Sequence, residues 1–153
     1  MQYLGPRPLD QRLLYPRYGA ATAAADGKLF VFSGRDDYGD LIHSAEVIDP
    51  QKATVYGIAP IPTPRFGATT WVQGNTILVI GGVSANGKAM DTVEAYDLSK
   101  NRWEARPPLR TPRGYVGGGF LAGRFIAAGG HDGYMGSVST SVLPLAVVES
   151  LAF

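Results

Sequence analysis

The chain has 153 residues, 45% of them apolar and 18% charged, which suits one domain with a buried core and is short for two. Its 20 glycines and 11 prolines exclude a long-helix or coiled-coil protein, since both residues are costly inside helices. A formal charge of +1 provides no broad field for nucleic acid or an anionic membrane, and the absence of cysteine excludes disulfides, thiolate catalysis and Cys-ligated metals.

Residues 1–7 lack the apolar core of a secretory signal, and no apolar run is long enough to cross a membrane as a helix. The expected setting is therefore cytoplasmic.

The chain repeats itself. Pro16-Arg17-Tyr18-Gly19-Ala20 returns as Pro64-Arg65-Phe66-Gly67-Ala68, and Pro112-Arg113-Gly114, at the same step again, is a third, weaker copy. That step also relates Ser33-Gly34, Gly81-Gly82 and Gly129-Gly130, as well as Glu46 with Glu94 and Asp49 with Asp97. Laid over 64–111 without a gap, 16–63 is identical at 13 of 48 positions, which argues for one duplicated structural unit.

Each unit reads as short strands. In the first, Gly19–Ala25 leads through the turn signal Asp26-Gly27 into the apolar run Lys28–Phe32. A polar loop follows, then a third strand at Ala45–Ile48, an Asp-started turn at Asp49, and a fourth strand at Val55–Ile58. The second unit matches it with Gly67–Val72, a turn at Gly74-Asn75, Thr76–Ile80, Val93–Tyr96, a turn at Asp97, and Trp103–Arg106. No segment keeps a helical period. Four antiparallel strands in a unit of this length match one β-propeller blade, and the fold class is all-β.

The glycine doublet, a following Tyr and a Trp seven residues later are present in unit two as Gly81-Gly82, Tyr96 and Trp103, with Glu94 beside the Tyr. On these features the chain resembles the kelch repeat family, over about residues 8–147. Unit one has Ser33, Ile48 and Val55 at the corresponding places. Unit three keeps Gly129-Gly130 but reverses the aromatic–Gly pair to Gly114-Tyr115. In unbroken register it places Pro144 at the Tyr position and Leu151 at the Trp position, so its third strand looks degenerate. The expected division is 1–15 as a lead-in carrying a fourth-strand remnant, 16–63 and 64–111 as two blades, and 112–153 as a degenerate third.

Gly34, Gly81, Gly82, Gly129 and Gly130 suit sharp turns near a crowded centre, and Tyr96 and Trp103 suit packing between blades. Glu94, like Glu46, suits a structural bond within its strand. Three blades are fewer than the four to eight of a closed propeller. The chain is thus expected to be part of a longer propeller or half of a six-bladed ring made by a homodimer, with Pro8–Leu14 as the fourth strand of a blade begun elsewhere.

The loops between second and third strands, with the connectors between blades, share one face. On it the sequence places Arg17, Arg65 and Arg113, which would ring the channel mouth with Arg35, Tyr18 and Phe66 beside them; Tyr38, His131 and Tyr134 complete the candidate partner-binding set. Exposed guanidinium groups suit a carboxylate-bearing peptide; alternatively each Arg pairs internally with an Asp or Glu. The resemblance implies a protein-interaction module. A sugar-acting enzyme of the sialic-acid isomerase type and a purely structural module are the alternatives.

No catalytic constellation is evident. Asp36, Asp37 and Asp40 lack EF-hand spacing, His131 beside Asp132 offers too few ligands for zinc, and no phosphate loop follows Gly117-Gly118-Gly119. No cofactor, metal, nucleic acid or membrane is expected; the partner is a protein.

Overall fold

The computed structural model describes residues 10–132 and 148–151. Among these residues eleven strands form three antiparallel sheets. The first sheet contains β1 (Ala21–Ala25), β2 (Lys28–Phe32), β3 (Ala45–Asp49) and β4 (Thr54–Ile58), paired in chain order. The second contains β5 (Thr69–Gln73), β6 (Thr76–Ile80), β7 (Val93–Asp97) and β8 (Arg102–Arg106) in the same order. The third contains β9 (Gly117–Leu121), β10 (Arg124–Ala128) and β11 (Val148–Leu151).

The innermost strands β1, β5 and β9 lie side by side, so the sheets fan out from a common line. A backbone ladder runs across that line: the Gly67 amide donates to the Gly19 carbonyl at 2.9 Å, and the Tyr115 amide donates to the Gly67 carbonyl at 2.8 Å. The core lies between sheets rather than within one. Alternate residues of each strand face opposite neighbours, so Ile77, Val79 and Tyr96 pack on Phe30, Phe32 and Val47 of the first sheet. Leu78, Ile80 and Ala95 pack on Phe125, Ala127 and Leu151 of the third. This explains why β6 reads as an unbroken apolar run.

Tyr96 and Trp103 are direct partners across β7 and β8 and close the first interface with Phe30 and Phe32. The Tyr96 hydroxyl bonds Asn101 Oδ1 at 2.9 Å, and Trp103 Nε1 donates to the Ala59 carbonyl at 2.9 Å. Burial, with the nearby Tyr56 and Asp97, pushes the Tyr96 phenol above its ordinary value. The Asp-started turns form as expected: Asp97 Oδ1 accepts from the Ser99 hydroxyl and from the Ser99 and Lys100 amides, which holds its carboxyl well below the usual range.

Two expectations are corrected. The third strand of unit three is β11, with Glu149 opposite Ala127, just as Glu46 faces Val31 and Glu94 faces Val79. Glu149 falls seven positions beyond the place that the step from Glu46 to Glu94 sets for it, so seven more residues separate β10 from β11 than separate β2 from β3 or β6 from β7 in this register. Leu151 therefore holds the Tyr position rather than the Trp position. Pro144 lies outside the described residues. Secondly, the strand expected over Pro8–Leu14 does not include Gln11–Leu14, whose Leu14 amide bonds Glu46; the positions equivalent to β4 are residues 6–10, of which 6–9 lie outside the described residues.

The doublet glycines are required by geometry at Gly81. Its φ is +64°, and a Cβ there would sit 2.6 Å from the Arg113 carbonyl oxygen. Gly74, in the hairpin turn, has a φ of +54° but open space around it. Gly81→Ala should lower unfolding stability by about 1–3 kcal/mol more than Gly74→Ala, because only the first adds a clash to the backbone strain. Urea titration of both variants measures the difference, and equal losses would contradict it.

Candidate functional site

The loops after β2 and β6, residues 129–132 after β10, and the connectors into β1, β5 and β9 lie at one end of the sheets. A single bridge locks each connector to its loop: Tyr18 to Arg35, Phe66 to Val83, and Gly114 to His131. These are equivalent positions in the repeat register.

The Pro-Arg arginines do not present themselves to a partner. The Arg17 guanidinium donates to the Ser33 and Ser44 carbonyls, both at 2.9 Å, to the Ser44 hydroxyl at 2.7 Å, and to Glu46. Arg65 repeats the pattern with the Thr63, Gly81 and Thr92 carbonyls and with Glu94. Arg113 donates to the Gly129 carbonyl at 2.7 Å and lies 3.6 Å from Glu149. All three side chains are buried. Burial lowers the Arg65 guanidinium from its ordinary value, against the opposing pull of Glu94. The internal pairing left open by the sequence is thus what the structure shows, and the exposed guanidinium ring is corrected. The reason is local: the Arg spans its own connector, the doublet carbonyl, the start of strand three and the strand-three Glu, satisfying groups that would otherwise be buried without partners.

The glutamates do further work on the connectors. Glu46 also accepts from the Leu14 amide at 2.7 Å, Glu94 from the Thr63 hydroxyl at 2.8 Å, and Glu149 from the Arg110 and Thr111 amides. Pro62 stands between Leu14 and Arg110 in the register and has no amide, so the Thr63 hydroxyl serves there.

What the face does present is different. Tyr18, Tyr38 and Tyr115 are exposed. Phe66, equivalent to Tyr18, is buried under Arg35, whose guanidinium carbon lies 4.0 Å from the ring centroid. The Arg35 Nη2 points to the Ala85 carbonyl at 3.3 Å and the Ser84 carbonyl at 3.5 Å, so this cation ties the first sheet's loop to the second's. Phe66 meets Tyr115 edge-on at 5.9 Å, and Tyr115 lies 5.9 Å from the His131 ring. His131 is buried, and among the described residues neither of its nitrogens is bonded. The structure thus brings Arg35, Phe66, Tyr115 and His131 into one row, with Tyr18 bridged to Arg35. Tyr38 stands apart at the tip of its loop, and Tyr134 lies outside the described residues. Tyr115 was missed as a site residue; its signal was the reversed Gly114-Tyr115 order.

Among the described residues no group of three or more His, Asp or Glu side chains gathers as a metal site.

The kelch motif matches residues 16–60 and 64–110, which is more than half of the chain. The chain belongs to the kelch family. The first two sheets are kelch blades, and the third, with the same strand order among the described residues, is consistent with another. No curated protein matches the chain.

The Arg–Glu pairs of these kelch blades should dominate their stability. Glu94→Gln leaves the Arg65 charge buried without its counter-charge and should cost about 3–5 kcal/mol, whereas Glu104→Gln, in an exposed pair with Arg102, should cost under about 1 kcal/mol. Urea unfolding checks both, and a Glu94→Gln loss as small as that of Glu104→Gln would contradict the assignment.

Proposed function

We propose that this chain is a protein-recognition module whose partner segment docks on the face built by the loops after β2 and β6 and by residues 129–132 after β10. Kelch motifs generally mediate protein–protein interaction, and the family is typically non-enzymatic. The observation that carries the reading is the exposure of Tyr18, Tyr38 and Tyr115 at one end of a scaffold whose charged repeat residues are committed inside. Large rigid aromatics on loops held by a sheet framework favour binding, because they bury much area with little loss of conformational freedom. The sugar-isomerase alternative has no observation in its favour, and the proposal keeps the cytoplasmic setting expected from the sequence.

The test is capture from an extract of the source cells, with identification of the bound proteins. The double variant Tyr18→Ser/Tyr38→Ser should lose the specific partner while Lys52→Ser, at the opposite end of the first blade, keeps it. Retention of the same partner by both variants would reject the face.

We also infer that the outer flank of the first blade is covered by another blade, supplied by a second copy or by the remainder of a longer propeller. Its Leu29 is 39% exposed while the equivalent Ile77, covered by a blade, is 0% exposed. In the two-copy case light scattering should give twice the chain mass, and Leu29→Glu should return it to the monomer; a monomeric wild-type chain would reject that case.

A further inference from the structure

We infer that the segment recognised by the loop face presents Lys or Arg side chains, and that Tyr115 is the residue that reads them; this rests on the interaction reading above and reverses the carboxylate-bearing ligand expected from the sequence.

The first support is the backbone at Tyr115. Gly19, Gly67 and Tyr115 are equivalent, with φ of +63°, +61° and +52°. The first two blades use glycine for this left-handed conformation, while the third holds a tyrosine in it, a strained choice that concentrates at functional sites. The residue is 51% exposed.

A compensating change allows this. Gly114 stands where the other blades have Tyr18 and Phe66. A Cβ at Gly114 would lie 2.6 Å from His131 Nε2 and 2.5 Å from Val83 Cγ2, so the imidazole occupies the space a side chain there would need. The aromatic has moved one residue along the connector, out of the interface between blades and onto the face. The imidazole beside it is 7% exposed, and among the described residues neither nitrogen has a partner.

The second support is charge. Glu46, Glu94 and Glu149 neutralise Arg17, Arg65 and Arg113 beneath the surface. The three loops then carry Asp36, Asp37, Asp40, Asp91 and Asp132 against Arg35 and Lys88, and Arg35 is engaged over Phe66. Residues 133–147 contain no acidic or basic side chain, so they leave this balance unchanged. The connectors add Arg12 and Arg110 against Asp10, on the stretches nearer the outer strands. An acidic segment would meet net repulsion. A cationic one meets carboxylates and the electron-rich faces of Tyr18 and Tyr115.

The experiment measures fluorescence polarisation with two labelled peptides on one Gly-Ser-Tyr frame, one carrying Lys and Arg and the other Glu, titrated with the full chain at low and physiological salt. The Lys/Arg peptide should bind at least about tenfold more tightly than the Glu peptide, with affinity falling as salt rises. Tyr115→Gly, which restores the residue of the other blades, should weaken binding about tenfold without lowering Tm. Asp36→Asn/Asp132→Asn should weaken it in the same direction. Preference for the Glu peptide would overturn the inference and leave the interaction module standing. Binding of neither peptide, with loop-face capture from extract intact, would overturn the inference alone; loss of both would remove the reading beneath it. Unchanged affinity in Tyr115→Gly would remove Tyr115 from the site.

Discussion

The fold depends on an ion pair repeated in each blade and taken out of water. Removing a guanidinium and a carboxylate from solvent costs several kcal/mol per ion, and their attraction repays that only when the remaining donors and acceptors are also satisfied. Arg17 and Arg65 meet this condition with carbonyls from three chain segments as well as their glutamates. The pair therefore fixes more than one contact. It sets where the connector enters the blade, where the doublet turns, and where strand three begins. Glu46, Glu94 and Glu149 extend that control to the chain arriving from the preceding blade. Apolar burial between sheets provides most of the driving force, but it is non-directional. The buried pair makes the arrangement specific.

Much of this was legible because the repeat is close. In the first two units one constant step aligns every strand, turn and doublet, and the observed strands differ from the sequence reading by two residues or fewer at any end. The third unit was misread where a gapless register was carried past Gly130. Seven residues added between two strands leave the first in register and displace the second along the sequence. The signal was present: Arg17 precedes Glu46 by the same interval at which Arg65 precedes Glu94, so Arg113 called for a glutamate further along, and Glu149 is the first after it. An apolar segment centred on that residue is what strand three of a blade requires.

The site was harder to read, for a different physical reason. A Pro-Arg motif on a connector says where the Cα lies and nothing of which way the side chain turns. Arg and Glu recurring in lockstep favour burial of both, since an exposed Arg has no need of a partner at constant spacing. Arg35 was legible as a face residue because it follows the doublet. Its engagement over Phe66, a residue of the next blade, depends on how two sheets abut, and no local pattern encodes that.

The same pairing separates what holds the propeller from what it recognises. Once the repeated cations are neutralised inside, the electrostatics of the face are set by loops whose residues make few bonds to the frame. Substitutions there change partner preference at little cost in stability. Tyr115 differs from the other face residues in also lying on the backbone ladder that joins the three blades at their common line, where glycine is the residue of the other two blades. A strained residue at that place persists only if the surrounding bonds over-determine it, and the amide of Tyr115 is held by Gly67 while the neighbouring Gly114 is held by His131 in both directions. The local rule broken at 114–115 and the buried imidazole beside it thus belong to one adjustment, in which the third blade gives up aromatic packing between blades and gains an aromatic ring on the face.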